Sequence, residues 1–273
     1  MARFGTTSFI YRAGWADNVE RLAPRVDDIE ILVFSSGPES LPGPGELQRL
    51  HDLKRAHDLS YTVHTPLTVS LGSAERSVRQ RGIEEIARTI RTCAPLEPLA
   101  YVLHVYLGDR ENDPHPPGDL DAWRNRATES LRAVLNVTGV EPKRLCVESL
   151  DYDLTLLDPV LTSLGLGVAL DIGHLARDGV EVTSALDHWG EQIQILQWHG
   201  TDPQTRDHKS LHHYPASEAR NVLAWIDRSD FDGVVTVEVF NEQDFERSWR
   251  LLTRWREGDP MDESITIASE PWD

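Results

Sequence analysis

Short apolar runs alternate with amphipathic segments along almost the whole chain. The runs, such as ILVF, YVLHVY and VVTVEVF, are nearly continuous in apolar residues, as expected for parallel strands that are covered on both faces. Each run is followed by a segment of helical character, as ELQRLHDLKRAHD follows the second run. We count about eight such strand–helix units in succession. This order predicts an α/β protein with a single closed (β/α)8 barrel.

The length of the chain agrees with one barrel. The chain has 273 residues, and barrels of this type have roughly 250. We predict a barrel domain over residues 1–258, because no linker divides this part of the chain. Residues 259–273 are acidic and lack periodicity, which is typical of a loosely held tail.

Six of the apolar runs end in side chains that bind divalent metals, whereas the first run, ARFGTTS, ends in hydroxyl groups. A buried carboxylate or imidazole is costly without a partner, and the carboxyl ends of barrel strands converge on one face. The sequence therefore predicts one metal site there. Its candidate ligands are His64, His104, Glu148, Asp171 with His174, His199 and Glu238. Taken singly, His64 or His104 is equally consistent with a hydrogen-bonded core histidine; the succession of six favours the metal site.

Mixed carboxylate and imidazole ligands are suited to paired cations. Two cations about 3.5–4 Å apart can hold both the attacking and the leaving oxygen of a phosphoester. A carboxylate usually bridges cations at this separation. Glu148, midway in the series, is the candidate bridge.

Two connections, Gly108–Gly118 and Gly200–Pro215, are longer than the two to six residues common between strands and helices. Both follow candidate ligands, so we predict that they hold substrate. The second contains Asp207 and His208, which are further candidate ligands. Lys209 and Arg12 are candidate partners for the charge of a phosphate.

Composition and charge restrict the partners. The formal net charge of −18 disfavours nucleic acid and anionic membranes, both of which are bound through cationic contacts. Only two cysteines are present, and neither a signal peptide nor an apolar membrane span is evident. We therefore expect a cytoplasmic protein that binds neither membrane nor nucleic acid, with its oligomeric state left open. A glycine-rich dinucleotide fingerprint, a phosphate-binding P-loop and a G-x-S-x-G elbow are also absent from the sequence.

The order of the candidate ligands resembles that of a known superfamily. The series His, His, Glu, Asp-x-x-His, His, His-x-Ser-Leu, Glu is similar to that of the xylose isomerase-like TIM barrels, in particular the AP endonuclease family 2 group, over residues 4–240. More narrowly, FGTTSFIYRAGWADNVERLAPRVDDIEILVF, YTVHTPL, LCVESLDY, LDIGHL, RDHKSL and TVEVF resemble segments of the cobamide-remodelling phosphodiesterases.

The narrower resemblance implies a substrate and cofactors. Members of that family hydrolyse the phosphodiester in the nucleotide loop of a cobamide, which releases an α-riboside and leaves cobinamide phosphate. The expected partner is thus a small-molecule corrinoid. The expected cofactors are two divalent ions, with a third left open, and zinc and manganese are the metals expected. Glu148 and Glu238 are the expected catalytic carboxylates.

The endonuclease pattern also implies which residues bind each ion. It places a first ion on His64, His104 and Glu148. It places a second ion on Glu148, Asp171, His199 and Glu238.

A third ion in that pattern requires His174, His208 and an aspartate two residues before His208. Arg206 occupies this position here, and Asp207 is directly adjacent to His208. Neighbours in an extended segment point to opposite sides, so the sequence leaves open whether Asp207 and His208 share an ion.

Two other functions are compatible with the pattern. Sugar isomerases and epimerases of the superfamily resemble the chain at the four residues of the second ion and bind one metal, which would make Glu148 and Glu238 an acid–base pair. A corrinoid-binding protein without turnover is the other alternative. His64 and His104 form the additional pair that favours a multinuclear phosphodiesterase.

Overall fold

The computed structural model of the chain describes residues 1–35, 37, 40–108, 118–202 and 206–258. Its strands are β1 (Arg3–Thr7), β2 (Asp28–Leu32), β3 (Ser60–His64), β4 (Tyr101–Leu103), β5 (Leu145–Glu148), β6 (Gly167–Asp171), β7 (Ile193–Trp198), β8 (Gly200–Asp202), β9 (Arg206–Lys209) and β10 (Val234–Val237). Eight of them pair in parallel and close in the order β1-β10-β7-β6-β5-β4-β3-β2. The predicted (β/α)8 barrel is therefore confirmed.

Helices connect the strands on the outside of the barrel. They are α1 (Trp15–Leu22), α2 (Pro44–His57), α3 (Arg76–Cys93), α4 (Leu120–Thr138), α5 (Asp158–Leu164), α6 (Ile172–Arg177), α7 (Val182–Trp189), α8 (Ala216–Arg228) and α9 (Glu242–Arg256). Among the described residues, no helix combines the length and the apolar character that crossing a membrane requires.

Alternation along the strands separates a helix-facing side from an axial side. On the helix-facing side, the Tyr61 hydroxyl of β3 donates to the Leu50 carbonyl of α2 at 2.7 Å. On the axial side, small and branched apolar residues form a cluster of their own, apart from the main core. This axial cluster contains Ala100, Val102, Cys146, Ala169, Ile195 and Val234.

The axial cluster explains why the candidate ligands converge. Side chains repeat on the same face of a strand every two residues. In β4, β5 and β6, the residue two positions after the axial-cluster residue is a candidate ligand. In β7 and β10, the candidate ligand lies four positions after it. These ligands are His104, Glu148, Asp171, His199 and Glu238. The axial face of these strands is therefore apolar inside the barrel and carries the candidate ligands at the carboxyl ends of the strands.

The two connections predicted to be long follow β4 and β7. The segment Gly200–Pro215, predicted as a long loop, instead contains an antiparallel hairpin of β8 and β9 and a 3-10 turn, Leu211–His213. Its residues are polar and lack strand-like alternation, so the pairing left no signal in the sequence. Most of Gly108–Gly118 lies outside the described residues, and so does the predicted tail at 259–273.

Candidate metal centre

Three side chains from adjacent strands form a first group, which we call cluster A: His64, His104 and Glu148. The Nε2 atoms of both histidines lie 3.0 Å from the same carboxylate oxygen, Glu148 Oε2. The two imidazole rings meet edge to face with centroids 4.9 Å apart. All three side chains are buried. Gln197 Nε2 also donates to this oxygen, at 3.4 Å.

The second ring nitrogen of each histidine in cluster A determines where the ring proton lies. His64 Nδ1 donates to the Thr65 carbonyl at 2.8 Å. The Tyr106 hydroxyl donates to the Leu67 carbonyl at 2.8 Å, so it must accept the 2.6 Å hydrogen bond from His104 Nδ1. In the neutral rings, both Nε2 atoms therefore direct lone pairs at a carboxylate oxygen. This arrangement needs a proton or a metal cation between the partners.

A second group, cluster B, consists of Asp171, His174, His199 and His208. Asp171 ends β6 and caps α6, because its Oδ1 accepts a hydrogen bond from the backbone N–H of His174 at 3.0 Å. His174 Nδ1 lies 2.9 Å from Asp171 Oδ2, and His199 Nε2 lies 3.1 Å from Asp171 Oδ1. Asp171 and His199 are completely buried. The Asp-Ile-Gly-His segment thus brings an acid and an imidazole together by starting a helix immediately after a strand.

Gly173 permits the close approach of α6 to His199. A Cβ atom at this position would lie 2.5 Å from both Cε1 and Nε2 of the His199 ring, which is closer than any van der Waals contact allows. Sequence reasoning did not assign Gly173 a role. The signal was its position between two candidate ligands.

His208 reaches cluster B through an unusual backbone conformation. Its φ of +57° interrupts the alternation expected in an extended segment. The His208 ring centroid lies 4.3 Å from that of His199 and 5.5 Å from that of His174. Asp207 approaches the same corner, with Oδ2 3.7 Å from His174 Nε2. Adjacent residues therefore do turn toward one place, contrary to the argument from strand alternation.

Asp207 is nevertheless engaged by a cation of the protein. Arg177 Nη1 donates to Asp207 Oδ2 at 2.6 Å, and the same guanidinium donates to Asp151 at 2.6 Å and to Asp178 at 2.7 Å. Arg177 thus supplies positive charge beside His174, at the corner where the superfamily pattern implies a third ion.

Glu148 connects the two clusters. Three sets of candidate ligand atoms lie within 4.8 Å of one another: His64, His104 and Glu148; Glu148, Asp171 and His174; and His174, His199 and His208. The predicted set of Glu148, Asp171, His199 and Glu238 is not among them within the described part of the chain. Glu238 Oε2 is buried, accepts no hydrogen bond from the described residues, and lies 3.8 Å from His208 Nδ1.

Opposite charges dominate the electrostatics of the buried pairs. Burial opposes ionisation of Glu148, but the charge of His104 and the hydrogen bonds from His104 and His64 outweigh burial and lower its pKa. The pKa of Asp171 is lowered in the same way, against burial, chiefly by His174. Burial lowers the pKa of His64 and His174, but the paired carboxylates outweigh it and raise each pKa to about 9.

Glu238 and His208 favour their neutral forms. Burial, followed by the charges of Glu148 and Glu30, raises the pKa of Glu238 well above its ordinary value. Burial, followed by the charge of His199, lowers the pKa of His208 to about 4. A neutral imidazole is the form of histidine that binds metals.

The donor atoms fit divalent cations. In cluster A the Nδ1 protons are already committed, and the Nε2 lone pairs face a shared carboxylate oxygen. In clusters A and B together the donors are imidazole nitrogens and carboxylate oxygens, which suit zinc and manganese. The unpartnered oxygen of Glu238 is a further donor at the edge of this group.

Other predicted residues are less involved. Arg12 is exposed in the segment after β1, and Lys209 is half-buried in β9, where it pairs with Gly200. Sequence reasoning missed Glu30, which is fully buried in β2 with neither carboxylate oxygen hydrogen-bonded to a described residue. Burial raises its pKa to about 8, with His64 opposing and Glu148 adding to the shift. An acid inside the apolar run DDIEILVF was the available signal.

Comparison with known proteins agrees with the fold. The sequence matches the family described as Xylose isomerase-like TIM barrel over residues 20–260. A D-tagatose 3-epimerase-like protein superposes with a TM-score of 0.74 at 18% identity, covering 94% of this chain and 98% of that chain. Endonuclease IV from Thermus thermophilus gives 0.71 at 21% identity, covering 94% and 99%. The 3-keto-D-glucoside 4-epimerase from E. coli gives 0.70 at 15% identity, covering 94% and 100%. No curated protein matches the sequence.

Proposed function

Because the chain belongs to the xylose isomerase-like TIM barrel family, we propose that it is a metal-dependent phosphodiesterase acting on the nucleotide loop of a cobamide. The observation that carries the proposal is the position of Glu148. It belongs to one candidate ligand set with His64 and His104, and to another with Asp171 and His174. A carboxylate shared by two sets suits two cations, and paired cations suit phosphoester hydrolysis.

Each cluster has a proposed role in binding metal. Cluster A would hold the first ion. Glu148 and cluster B would hold the second ion, with Glu238 at the edge of this group. Divalent cations bound there supply a water of lowered pKa and stabilise negative charge on the phosphate.

The bond changes define what the protein residues must do. Water adds to phosphorus, the bond from phosphorus to the riboside oxygen breaks, and that oxygen leaves with a proton. The phosphate remains on the corrinoid as cobinamide phosphate. Glu238, a buried carboxyl group beside His208 of cluster B, is the proposed acid–base group: it would give a proton to the leaving oxygen and regain one from the attacking water.

The support for a cobamide as the substrate comes from the sequence. The segments from FGTTSFIYR to TVEVF resemble cobamide-remodelling enzymes more specifically than the ligand order does. The net charge of −18 disfavours the DNA backbone as the phosphodiester. We therefore propose a compact small-molecule phosphodiester, and not DNA, as the substrate.

The test is to incubate the zinc- or manganese-loaded protein with cobalamin and to separate the products by chromatography. We expect cobinamide phosphate and the α-riboside in equal amounts. Glu129→Ala, which removes an exposed carboxylate from α4, is the matched control and should retain full activity. Absence of cobinamide phosphate with either metal, in every redox state of the corrinoid, would refute the proposal.

A single-metal sugar epimerase is the second candidate, because two of the three structures compared above are epimerases or epimerase-like. In this case the two histidines of cluster A are not needed for activity, whereas Glu148 and Glu238 form the acid–base pair. His64→Ala and His104→Ala would leave about one metal per chain and preserve epimerisation of a ketohexose. In a phosphodiesterase, the same substitutions would reduce both metal content and cobamide hydrolysis.

A further inference from the structure

Two aromatic side chains are exposed together at the mouth of the barrel. Phe9 follows β1 and is 47% exposed, and Phe34 follows β2 and is 44% exposed. Their rings meet edge to face, with centroids 5.0 Å apart and an interplanar angle of 75°. Among the described residues, the other large apolar side chains that are exposed to this degree are aliphatic or Met1. The pair therefore differs from ordinary scattered surface residues.

The backbone that carries the pair is fixed to the strand of a candidate ligand. Ser8 N–H donates to the Glu30 carbonyl at 2.8 Å, and Leu32 N–H donates to Ser8 Oγ at 3.0 Å. Val33 N–H donates to the carbonyl of His64 at 3.1 Å. The segments that bear Phe9 and Phe34 are thus tied to each other and to cluster A.

The pair occupies the sector of the mouth that lacks candidate ligands. β1 and β2 are neighbours, and neither ends in one of the candidate ligands; the buried carboxylate of β2, Glu30, lies inside the strand. On the other side of β1, Phe240 follows β10, and its ring centroid lies 4.8 Å from that of His208. Aromatic side chains thus border the ligand layer.

We propose that Phe9 and Phe34 bind a planar aromatic base of the substrate while its phosphodiester lies at clusters A and B. An edge-to-face pair presents both a ring face and a ring edge, and either can pack against a heteroaromatic ring. Stacking on phenylalanine accepts any base, because every base has a π-face. The inference rests on the proposed function and specifies its substrate as an aromatic riboside joined through a phosphodiester.

The test measures binding, so it does not depend on turnover. Titration calorimetry of the full-length, metal-loaded protein with benzimidazole riboside, and separately with ribose, compares the native chain with Phe9→Leu and Phe34→Leu. Leucine keeps an apolar side chain but removes the ring. Leu99→Ala is the control, because Leu99 is 44% exposed and precedes β4 at the opposite end of the barrel.

We expect benzimidazole riboside to bind and ribose not to bind. Each leucine variant should weaken riboside binding about tenfold, and Leu99→Ala should leave it unchanged. Equal affinity for ribose, equal affinity in the leucine variants, or no riboside binding would overturn the inference. Ring-dependent binding without cobamide hydrolysis would refute the proposed function and leave the aromatic subsite standing.

Discussion

At the scale of single residues, Glu148 is the buried carboxylate that links the two clusters of candidate ligands. Its carboxylate is buried, and one oxygen is approached by two imidazole nitrogens at 3.0 Å and by the Gln197 amide at 3.4 Å. No other described residue belongs to both cluster A and a set containing Asp171 and His174. Removing it should separate the two halves of the centre and leave the barrel strands in place.

We therefore predict that Glu148→Ala lowers cobamide hydrolysis by at least about 100-fold and reduces metal content by at least one ion per chain. The far-ultraviolet circular dichroism spectrum should not change. Elemental analysis and product chromatography on the same preparation provide the measurement. A Glu148→Ala protein that remains fully metallated and active would contradict the bridging role.

Gly173 allows a second prediction at this scale. Gly173→Ala should destabilise the protein by about 1–3 kcal/mol, because the added methyl group collides with the buried His199 ring. The displaced ring should also weaken metal binding. Gly45→Ala in α2 is the matched control: a Cβ atom added there would have nothing within 4 Å, so this variant should be neutral or slightly stabilising. Equal unfolding free energies for the two variants would show that His199 tolerates the methyl group.

At the scale of elements, the barrel and its ligand positions could be predicted because each strand carries its own signal. An apolar run that ends in a polar residue can be recognised without knowledge of its neighbours. β5 and β6 end in Glu148 and Asp171, and His199 directly follows β7. The β8–β9 hairpin could not be predicted, because GTDPQTRDHK has no apolar face. Its pairing is also irregular, with a register shift between Gly200 and Asp202 and a positive φ at His208.

This rule does not identify Glu30, because it recognises only residues at the ends of apolar runs. Glu30 lies inside β2, with Asp28 two residues before it on the same face of the strand. The sequence did not predict that His174 would lie beside Glu148. These two residues and Asp171 lie within 4.8 Å of one another, because α6 begins directly at the end of β6. The shared ion on Glu148, Asp171, His199 and Glu238 stays a prediction.

Arg177 on α6 leads to a prediction about metal stoichiometry. Its guanidinium holds Asp207 at 2.6 Å and places a positive charge beside His174. Arg177→Met should release Asp207 to act with His174 and His208, and should raise the metal content by up to one ion per chain. Arg177→Lys, which keeps the charge, should not change the metal content. Elemental analysis of proteins equilibrated with equal excess zinc compares the two variants. Equal metal content in the two variants would mean that the ion pair between Arg177 and Asp207 does not limit the number of bound ions.

At the scale of the whole molecule, barrel closure gathers charges that are distant in sequence into a single buried layer. The four carboxylates Glu30, Glu148, Asp171 and Glu238 are buried there in a chain of net charge −18. Without cations, protons must compensate this layer. Burial, followed by the charges of neighbouring carboxylates, raises the pKa of Glu30 and Glu238, and the paired carboxylates outweigh burial to raise the pKa of His64 and His174. The metal-free protein should therefore depend on pH differently from the metal-loaded protein.

The direction of this dependence follows from the histidines. The folded pKa values of His64 and His174 are raised from 6.5 to about 9. Their contribution to stability is therefore fully present below pH 6.5 and is lost as the pH rises through about 9. Glu30 acts in the same direction, because its raised pKa makes the folded state hold a proton that the unfolded state has released. Metal binding has the opposite trend, since its ligands must be deprotonated.

We predict that chelation lowers the melting temperature more at pH 9 than at pH 6, with a difference of about 5 °C or more between the two decreases. After chelation at pH 6, bound protons partly compensate the charge of the buried carboxylates. After chelation at pH 9, these carboxylates have lost both the cations and most of the compensating protons. Thermal scans with and without chelator across this range provide the measurement. The metal-free His64→Gln variant should show a flatter pH dependence, because glutamine does not titrate. A chelation effect independent of pH would mean that protons and metals do not compete for this layer.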